Sequence, residues 1–403
     1  MSGYTVSARK YRPDTFETVV GQPHITDTLR NAIKQDHLAH SFLFTGPRGV
    51  GKTTCARILA KTINCQYVTE NGEACNECES CRIFNENKSL NIYELDAASN
   101  NSVEDIRSLV EQVRFGPQGG KYKVYIIDEV HMLSQSAFNA FLKTLEEPPP
   151  YAIFILATTE KHRILPTILS RCQIFDFNRI QVSDIYESLR NIAAREGITA
   201  EPEALHIIAQ KADGALRDAL SLYDRVISFT GSQLTYQAVI DNLNILDYDH
   251  FFKTTDYLLQ KDLPNTLLTF NEVLNQGFDG HNYLAGLSEH MRNLLVCKDP
   301  KTLPLLELTE QMQERYQQQA QQVSGSFLLS ALNILNYYDL NYKASRNQRL
   351  HTEIALMKLA HLNDALSLPE VQAYKEGAPQ PDTADSPEAK KKVNPDDPAP
   401  KAA

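Results

Sequence analysis

The sequence predicts an α/β domain built on a parallel sheet, followed by two all-α domains. Three observations carry that expectation. Short, nearly unbroken apolar runs at 42–44, 123–127 and 152–157 read as strands buried on both faces, the habit of parallel sheets. A glycine-punctuated loop at 46–51 joins the first of them directly to a helix opening at Lys52 or Thr53. From residue 183 to 366 the apolar spacing turns helical.

Length and composition set the bounds. The chain has 403 residues, enough for roughly two to four domains. Its 42% apolar and 22% charged residues are ordinary for a globular protein in water. No leader peptide and no apolar run long enough to span a bilayer is found, so a cytoplasmic protein without membrane association is expected. The formal charge of −10 argues against a simply basic nucleic-acid binder, while a local basic face could still sit on an acidic molecule. Seven cysteines in such a chain do not suggest a disulfide framework.

Residues 1–40 carry ARKYRPDTFETVVGQ and then a helical pattern over 25–33. Arg12-Pro13 forces an extended segment there, read from pattern alone as a strap crossing the surface. The stretch SFLFTGPRGVGKTT (41–54) follows. Gly46, Gly51, Lys52 and Thr53 fit the G-x-x-x-x-G-K-[ST] spacing of a phosphate-binding loop. Glycines let backbone N–H groups turn inward around phosphates, and the helix start adds unpaired N–H groups and its positive dipole end. Lys52 reaches the terminal phosphates, and the Thr53 hydroxyl can ligate Mg²⁺. The chain therefore binds a nucleoside triphosphate.

The helix over 53–64 leads to Cys65 and then Cys75, Cys78 and Cys81 in a polar, turn-rich insert. Four thiols so spaced suit a closed tetrahedral zinc site, with redox pairing as the competing reading. Four protein ligands leave no place for water, so such a metal would be structural. Cys55, Cys172 and Cys297 lack such neighbours and read as ordinary buried or half-buried thiols.

A strand over 90–95 ends at Asp96; Ser102 then caps a helix with Asp105 as its capping-box partner. The run KVYII ends in Asp128-Glu129-Val130-His131. An acidic pair at the carboxyl end of a central strand is where a phosphate-loop fold keeps its second motif. Asp128 would hold Mg²⁺, mostly through water, and Glu129 would polarise the attacking water. The strand over 152–157 ends in Thr158-Thr159, polar groups able to meet a γ-phosphate or the lytic water. LPTILSRC (165–172) connects a helix to a strand and carries Arg171, either a solvated arginine or a finger for a neighbour's site.

Residues 183–245 read as helical throughout, with Arg217 one turn into the helix of DGALRDALSL and expected to aim at phosphates across a cleft. Residues 246–366 are helical again without a catalytic-looking cluster, and 350–362 is apolar on most sides, hence core or an oligomer contact. Past about 371 Pro, Ala, Asp and Lys take over, and 367–403 reads as a disordered tail or linker.

Taken together the motifs closely resemble the gamma/tau family of bacterial DNA polymerase III, the ATPase subunits of the sliding-clamp loader. The resemblance runs from about residue 5 to about residue 365 through ARKYRPDTFETVVGQ, FTGPRGVGKTT, the four-cysteine insert, DAASNNSVEDIR, DEVHMLS, LATTE, ILSRC, GALRDALSL and YKASRNQRLHTEIALMKL. It implies an AAA+ α/β domain at 1–180 with its zinc insert at 65–81, a three-helix lid at 181–245, and a helical collar for oligomerisation at 246–366. It implies a five-subunit ring of gamma/tau copies with delta and delta-prime subunits, opening the clamp with ATP and closing it on primed template DNA.

Residue roles follow from the same resemblance. Gly46, Pro47, Arg48, Gly49, Val50, Gly51, Lys52, Thr53 and Thr54 would form the phosphate cradle, with Thr53 and Asp128 at magnesium and Glu129 at the water. Thr159 matches the first sensor, Arg217 the second and Arg171 the finger reaching the next subunit. Cys65, Cys75, Cys78 and Cys81 match zinc ligands, and Arg12 and Pro13 the segment near the adenine. Lys161 departs from an expected proline without affecting a role. The expected cofactors are ATP, Mg²⁺ and structural Zn²⁺. The polymerase reaction itself is not expected here, since no second carboxylate cluster is seen. Two other readings remain: a non-hydrolysing scaffold in the same assembly, or a different AAA+ DNA motor such as a branch-migration helicase. The four-cysteine insert and the terminal helices fit the latter poorly.

Overall fold

A computed structural model describes residues 6–362 except 244 and 307. The expected tail at 367–403 lies outside the described residues. The chain begins with a short helix α1 (Ser7–Lys10), an extended strap, and α2 (Pro23–Lys34). Then come β1 (Ser41–Thr45), α3 (Lys52–Ile63), the cysteine insert with α4 (Glu79–Asn85), β2 (Ile92–Asp96) and α5 (Val103–Val113). The capping box on α5 forms as the sequence predicts, Ser102 Oγ accepting from Asp105 N and the Asp105 carboxylate accepting from Ser102 N.

Next follow β3 (Lys123–Asp128), α6 (Gln135–Glu146), β4 (Ala152–Thr158), α7 (Pro166–Leu169) and β5 (Gln173–Asp176). The five strands are parallel in the order β2-β3-β4-β1-β5, so the phosphate-loop strand and the Asp128 strand both flank β4. Alternation along the strands feeds two layers. Phe42, Phe44, Val124, Ile126 and Ile153 pack on α2 and α3, while Leu43, Tyr125, Ile127, Phe154 and Leu156 pack on α5 and α6. With both faces covered, β1 and β4 are buried along their whole length, which is why they read as unbroken apolar runs.

Residues 182–243 hold α8 (Val182–Glu196), α9 (Pro202–Lys211), α10 (Leu216–Thr230) and α11 (Tyr236–Leu243) around their own core. The first three of these, α8 to α10, equal the number of lid helices the resemblance implies, and α11 packs on the same core. The segment is not helical throughout, because Thr199–Ala200 pairs with Gln233–Leu234 as a small parallel ladder. Two residues are too few to leave a period in the sequence. The remaining helices, α12 (Tyr248–Leu259), α13 (Leu263–Asn275), α14 (Gly280–Val296), α15 (Glu310–Gln322), α16 (Gly325–Asn341) and α17 (Gln348–Ala360), share one apolar core. On α17, Ala355, Leu356 and Leu359 are buried while Leu350 is 46% and Ile354 36% exposed, so the helix serves the core on one face only.

Candidate functional site

The glycine loop lies between the end of β1 and the start of α3, at the carboxyl edge of the sheet where ligands of open α/β folds collect. Two of its glycines are required by geometry. A Cβ on Gly46, at φ +143°, would lie 2.3 Å from the Phe177 carbonyl oxygen. One on Gly49, at φ +78°, would lie 2.9 Å from the Ala215 Cβ, so α10 approaches the loop where a side chain is missing. The Arg217 backbone N–H points at the Gly49 oxygen at 3.4 Å. The second-sensor candidate thus sits directly over the loop.

Lys52 is buried, its Nζ donating to the Gly46 and Pro47 carbonyl oxygens at 2.8 Å each. Burial draws its pKa below the ordinary lysine value, and the carboxylates of Glu129 and Asp128 oppose that shift. Thr53 Oγ1 donates to Asp128 Oδ2 at 2.6 Å, joining the helix start to the tip of β3. Glu129 follows at φ +47°, with its Oε2 accepting from Thr159 Oγ1 at 3.0 Å and Thr159 N at 3.3 Å. Thr159 therefore meets the candidate water-polarising carboxylate one residue past the end of β4.

A residue without an assigned role also converges here. His131 Nδ1 lies 2.9 Å from Thr158 Oγ1 and 3.4 Å from Glu129 Oε2, and its Nε2 lies 3.3 Å from Glu160 Oε1. The sequence placed it beside the acidic pair but gave no sign that its ring turns back toward the sheet.

Gly49, Gly51, Lys52, Thr53, Asp128, Glu129 and Arg217 line a cleft of about 310 Å³ together with Arg12, Pro13, Arg48, Val50 and Thr54, while Thr159 and His131 reach it only through Glu129. Its far end is apolar, formed by Val19, Val20, Ile180, Leu216 and Leu220. No motif marks those residues, because they come from three distant segments and only the fold assembles them. Arg171 is not part of this cleft. It lies past the end of α7, where its guanidinium donates to Thr167 O at 2.6 Å and pairs with Glu146 at 2.8 Å.

The four insert cysteines converge too. Their sulfurs all lie within 4.8 Å of one another, Cys65 to Cys75 at 3.4 Å and Cys65 to Cys78 at 3.9 Å. Tetrahedral Zn–S bonds of about 2.3 Å require S···S separations near 3.8 Å, so the set fits zinc. Backbone N–H groups of Cys75 and Cys78 donate to the sulfurs of Cys65 and Cys75, at 3.3 Å each. Burial raises the Cys65 and Cys81 thiols; at Cys78 burial also pushes upward, but the N–H groups of Gln66 and Cys81 together with the Cys81 and Cys75 side chains bring the thiol down to about 6. Among the described residues this is the one metal-compatible His/Cys/Asp/Glu group of three or more. Cys55 and Cys297 are buried and Cys172 half-buried.

Comparison with known families covers nearly the whole described chain. Residues 21–181 match the family described as "DNA polymerase III, delta subunit", 184–232 "DNA polymerase III clamp loader subunit, ATPase lid domain", and 234–373 "DNA polymerase III subunits gamma and tau domain III". DNA polymerase III subunit gamma of Buchnera aphidicola (subspecies Baizongia pistaciae) is 35% identical over 89% of this chain and 98% of its own length. The chain belongs to the gamma/tau family of DNA polymerase III subunits. DNA polymerase III subunit tau of Bacillus subtilis is 41% identical over 91% of this chain, which spans 66% of that relative's length. The Holliday junction branch-migration motor RuvB of Thermotoga maritima is alike over 62% of this chain and 79% of its own, at 21% identity and a TM-score of 0.45, too distant to bear on function. The gamma/tau membership brings with it a nucleotide-binding AAA+ fold. No helix among the described residues is long and apolar enough to cross a membrane.

Proposed function

We propose that the chain is the ATP-hydrolysing motor subunit of a replicative clamp loader, opening a ring-shaped clamp and releasing it around primed template DNA within the DNA polymerase III holoenzyme. The observation that carries this reading is the 2.6 Å bond between Thr53 and Asp128, with Lys52 on one side and Glu129 on the other. A scaffold has no use for a complete set of these groups, which disfavours the non-hydrolysing alternative. We divide the chain into an AAA+ domain at 1–180, a lid at 181–245, a collar for ring assembly at 246–366 and a tail beyond.

In this reading the cradle of 46–54 binds the phosphates of ATP, and the apolar end beside Arg12 and Pro13 takes the base. Mg²⁺, held by Thr53 and Asp128, supplies charge neutralisation on the phosphates. Lys52 adds its own charge at the terminal phosphates. Glu129 accepts the proton of the attacking water as its oxygen bonds to the γ-phosphorus and the β–γ bridging P–O bond breaks, giving ADP and phosphate. Its carboxylate is held by Thr159 in the meantime, so hydrolysis waits on its release. Arg217 reads the γ-phosphate within the chain and Arg171 from a neighbouring subunit. Triphosphate occupancy then biases the ring toward one geometry that a diphosphate cannot maintain. Zn²⁺ on Cys65, Cys75, Cys78 and Cys81 would be structural. The expected partners are delta and delta-prime subunits, further copies of this chain, the clamp and the DNA backbone, with salt-sensitive, sequence-independent contact. Polymerase chemistry is assigned to other subunits of the holoenzyme.

The test is ATP turnover by the purified chain, alone and assembled with delta, delta-prime, clamp and primed template. Stimulated turnover and nucleotide-dependent clamp placement are expected. Equal placement by wild type and a Lys52→Ala variant would favour the scaffold, and strand displacement at a four-way junction would favour the helicase.

A further inference from the structure

We infer that Glu73, next to the cysteine cluster, is a positioning residue that fastens the strap of the nucleotide cleft to the metal-binding insert. The inference rests on the nucleotide reading of that cleft. Glu73 is 8% exposed, two residues before Cys75. Its carboxylate faces a segment 56 residues away in sequence and takes two backbone hydrogens there. Phe16 N donates to Oε2 at 2.9 Å and Glu17 N to Oε1 at 3.1 Å. Its nearest cation is Arg30, at 3.8 Å. A half-wrapped carboxylate receiving adjacent N–H groups is a strong, oriented clamp.

The insert gives Glu73 a fixed footing. Glu73 N donates to Thr69 Oγ1 at 3.1 Å, and its carbonyl accepts from Thr69 N at 2.9 Å. Asn76, between the ligand cysteines, accepts from the buried Lys61 of α3 at 2.6 Å. The insert is too short to keep this shape by burial, since its apolar cluster is little more than the cysteines and Ala74. Four sulfurs converging on one point make the metal the element that holds it.

The strap carries that constraint into the cleft. Phe16 is buried in the core beside α2 and α3, while Arg12, Pro13, Val19 and Val20 on either side of it line the cleft. Its other end is tied to the lid: Ser7 N donates to Asp224 Oδ2 at 2.7 Å, and Lys10 Nζ and Tyr11 Oη donate to Glu196 Oε1 at 2.7 Å each. The strap is thus a bridge with one footing on the lid and the other on Glu73. Freeing the second footing leaves only a fraction of molecules with the strap in register, and apparent affinity falls by that fraction.

The experiment compares the full-length wild type with Glu73→Ala and Glu73→Gln, the latter keeping one neutral acceptor. ATP and ADP binding are measured by calorimetry, zinc content by atomic absorption, and backbone exchange at 12–20 by hydrogen–deuterium mass spectrometry. Glu73→Ala is expected to keep its zinc and weaken ATP and ADP alike by about five- to tenfold, while exchange at Phe16 and Glu17 accelerates. Glu73→Gln should fall between it and wild type, and decides the matter if the alanine variant does not fold. Turnover at saturating ATP should change less than KM, since the strap touches the base end. Zinc removal from wild type by a chelator should speed exchange of the same amides and weaken the nucleotide as well. Folded variants with wild-type affinity, or weakened ones whose Phe16 and Glu17 amides stay protected, would overturn the role of Glu73. Unchanged protection after zinc removal would overturn the metal's part in it. A wild-type chain that binds no nucleotide would instead overturn the reading of the cleft itself.

Discussion

The substitution Thr53→Val tests the joint on which the site depends. Valine keeps the branched shape and the helical rotamer, so the change removes little but a hydroxyl. That hydroxyl donates to Asp128 at 2.6 Å, and bonds to charged acceptors contribute about 1.5–3 kcal/mol. Thr53 and Asp128 are both half-buried, so Asp128 recovers water when the bond is lost and the lower end applies. About 1.5 kcal/mol corresponds to a melting shift of about 3–6 °C for a domain of roughly 150–250 residues, the size class of the α/β domain that holds the bond. Loss of the metal ligand acts separately, and weakening by about 10–100-fold is expected only when magnesium is present. Binding of a fluorescent ATP analogue, measured in Mg²⁺ and again in EDTA, separates the two effects. The ratio of the two dissociation constants should collapse toward one in the variant. A variant with the wild-type magnesium dependence would show that Thr53 and Asp128 do not form the metal position.

Arg171→Ala should leave nucleotide affinity of the isolated chain within about twofold, because the side chain sits on Glu146 outside the cleft, and should lower clamp- and DNA-stimulated turnover by about 10³ or more. Stimulated turnover that survives in a steady-state assay would remove the finger assignment. Purification under reducing conditions should yield a chain holding a single zinc ion, and Cys81→Ser should lose it and become cleavable within 65–81 by limited proteolysis; a metal-free wild type with a resistant insert would refute the site. His290 is 1% exposed, bonded to Tyr316 and Gln319, and its pKa is driven down to about 3 by burial and by the charge of Arg315. The unfolded chain takes up that proton near pH 6.5 while the folded one resists it. Stability is therefore complete above about 6.5 and falls toward pH 3, by at most about 1.4 kcal/mol per unit. Urea midpoints of His290→Gln should fall less steeply with acid than those of wild type, and parallel slopes would contradict this.

What the sequence revealed was local. The glycine loop, the β3 and β4 runs and the Ser102–Asp105 capping box each occupy a short stretch whose chemistry is complete in itself, and each stands where expected. The four cysteines converge for the same reason, their spacing being close to what one turn-rich insert can gather. Contacts between distant segments were illegible. Nothing in the local pattern of Glu73 distinguishes it from a solvated glutamate, and Arg171 shows no preference for Glu146. The apolar end of the cleft is built from single residues of the strap, the β5–α8 turn and α10, which are ordinary core residues by pattern.

The geometry of the lid decides how occupancy of the cleft could be felt elsewhere. An occupant changes an equilibrium only by interacting differently with its two states. Against the loop itself, α10 makes a single long backbone contact at Gly49, at 3.4 Å, and a close approach permitted by the missing side chain. Such a contact holds little by itself, so a ligand bridging Lys52 and Arg217 would dominate the position of α10. The strap is fixed more firmly, by charged bonds to Glu196 and Asp224 on the lid and to Glu73 on the insert. A displacement of the lid therefore either stretches the strap across the base end of the cleft or pulls on Glu73. The phosphate end and the base end are linked through the lid, and loosening one footing of the strap should weaken that link as well as the grip on the base.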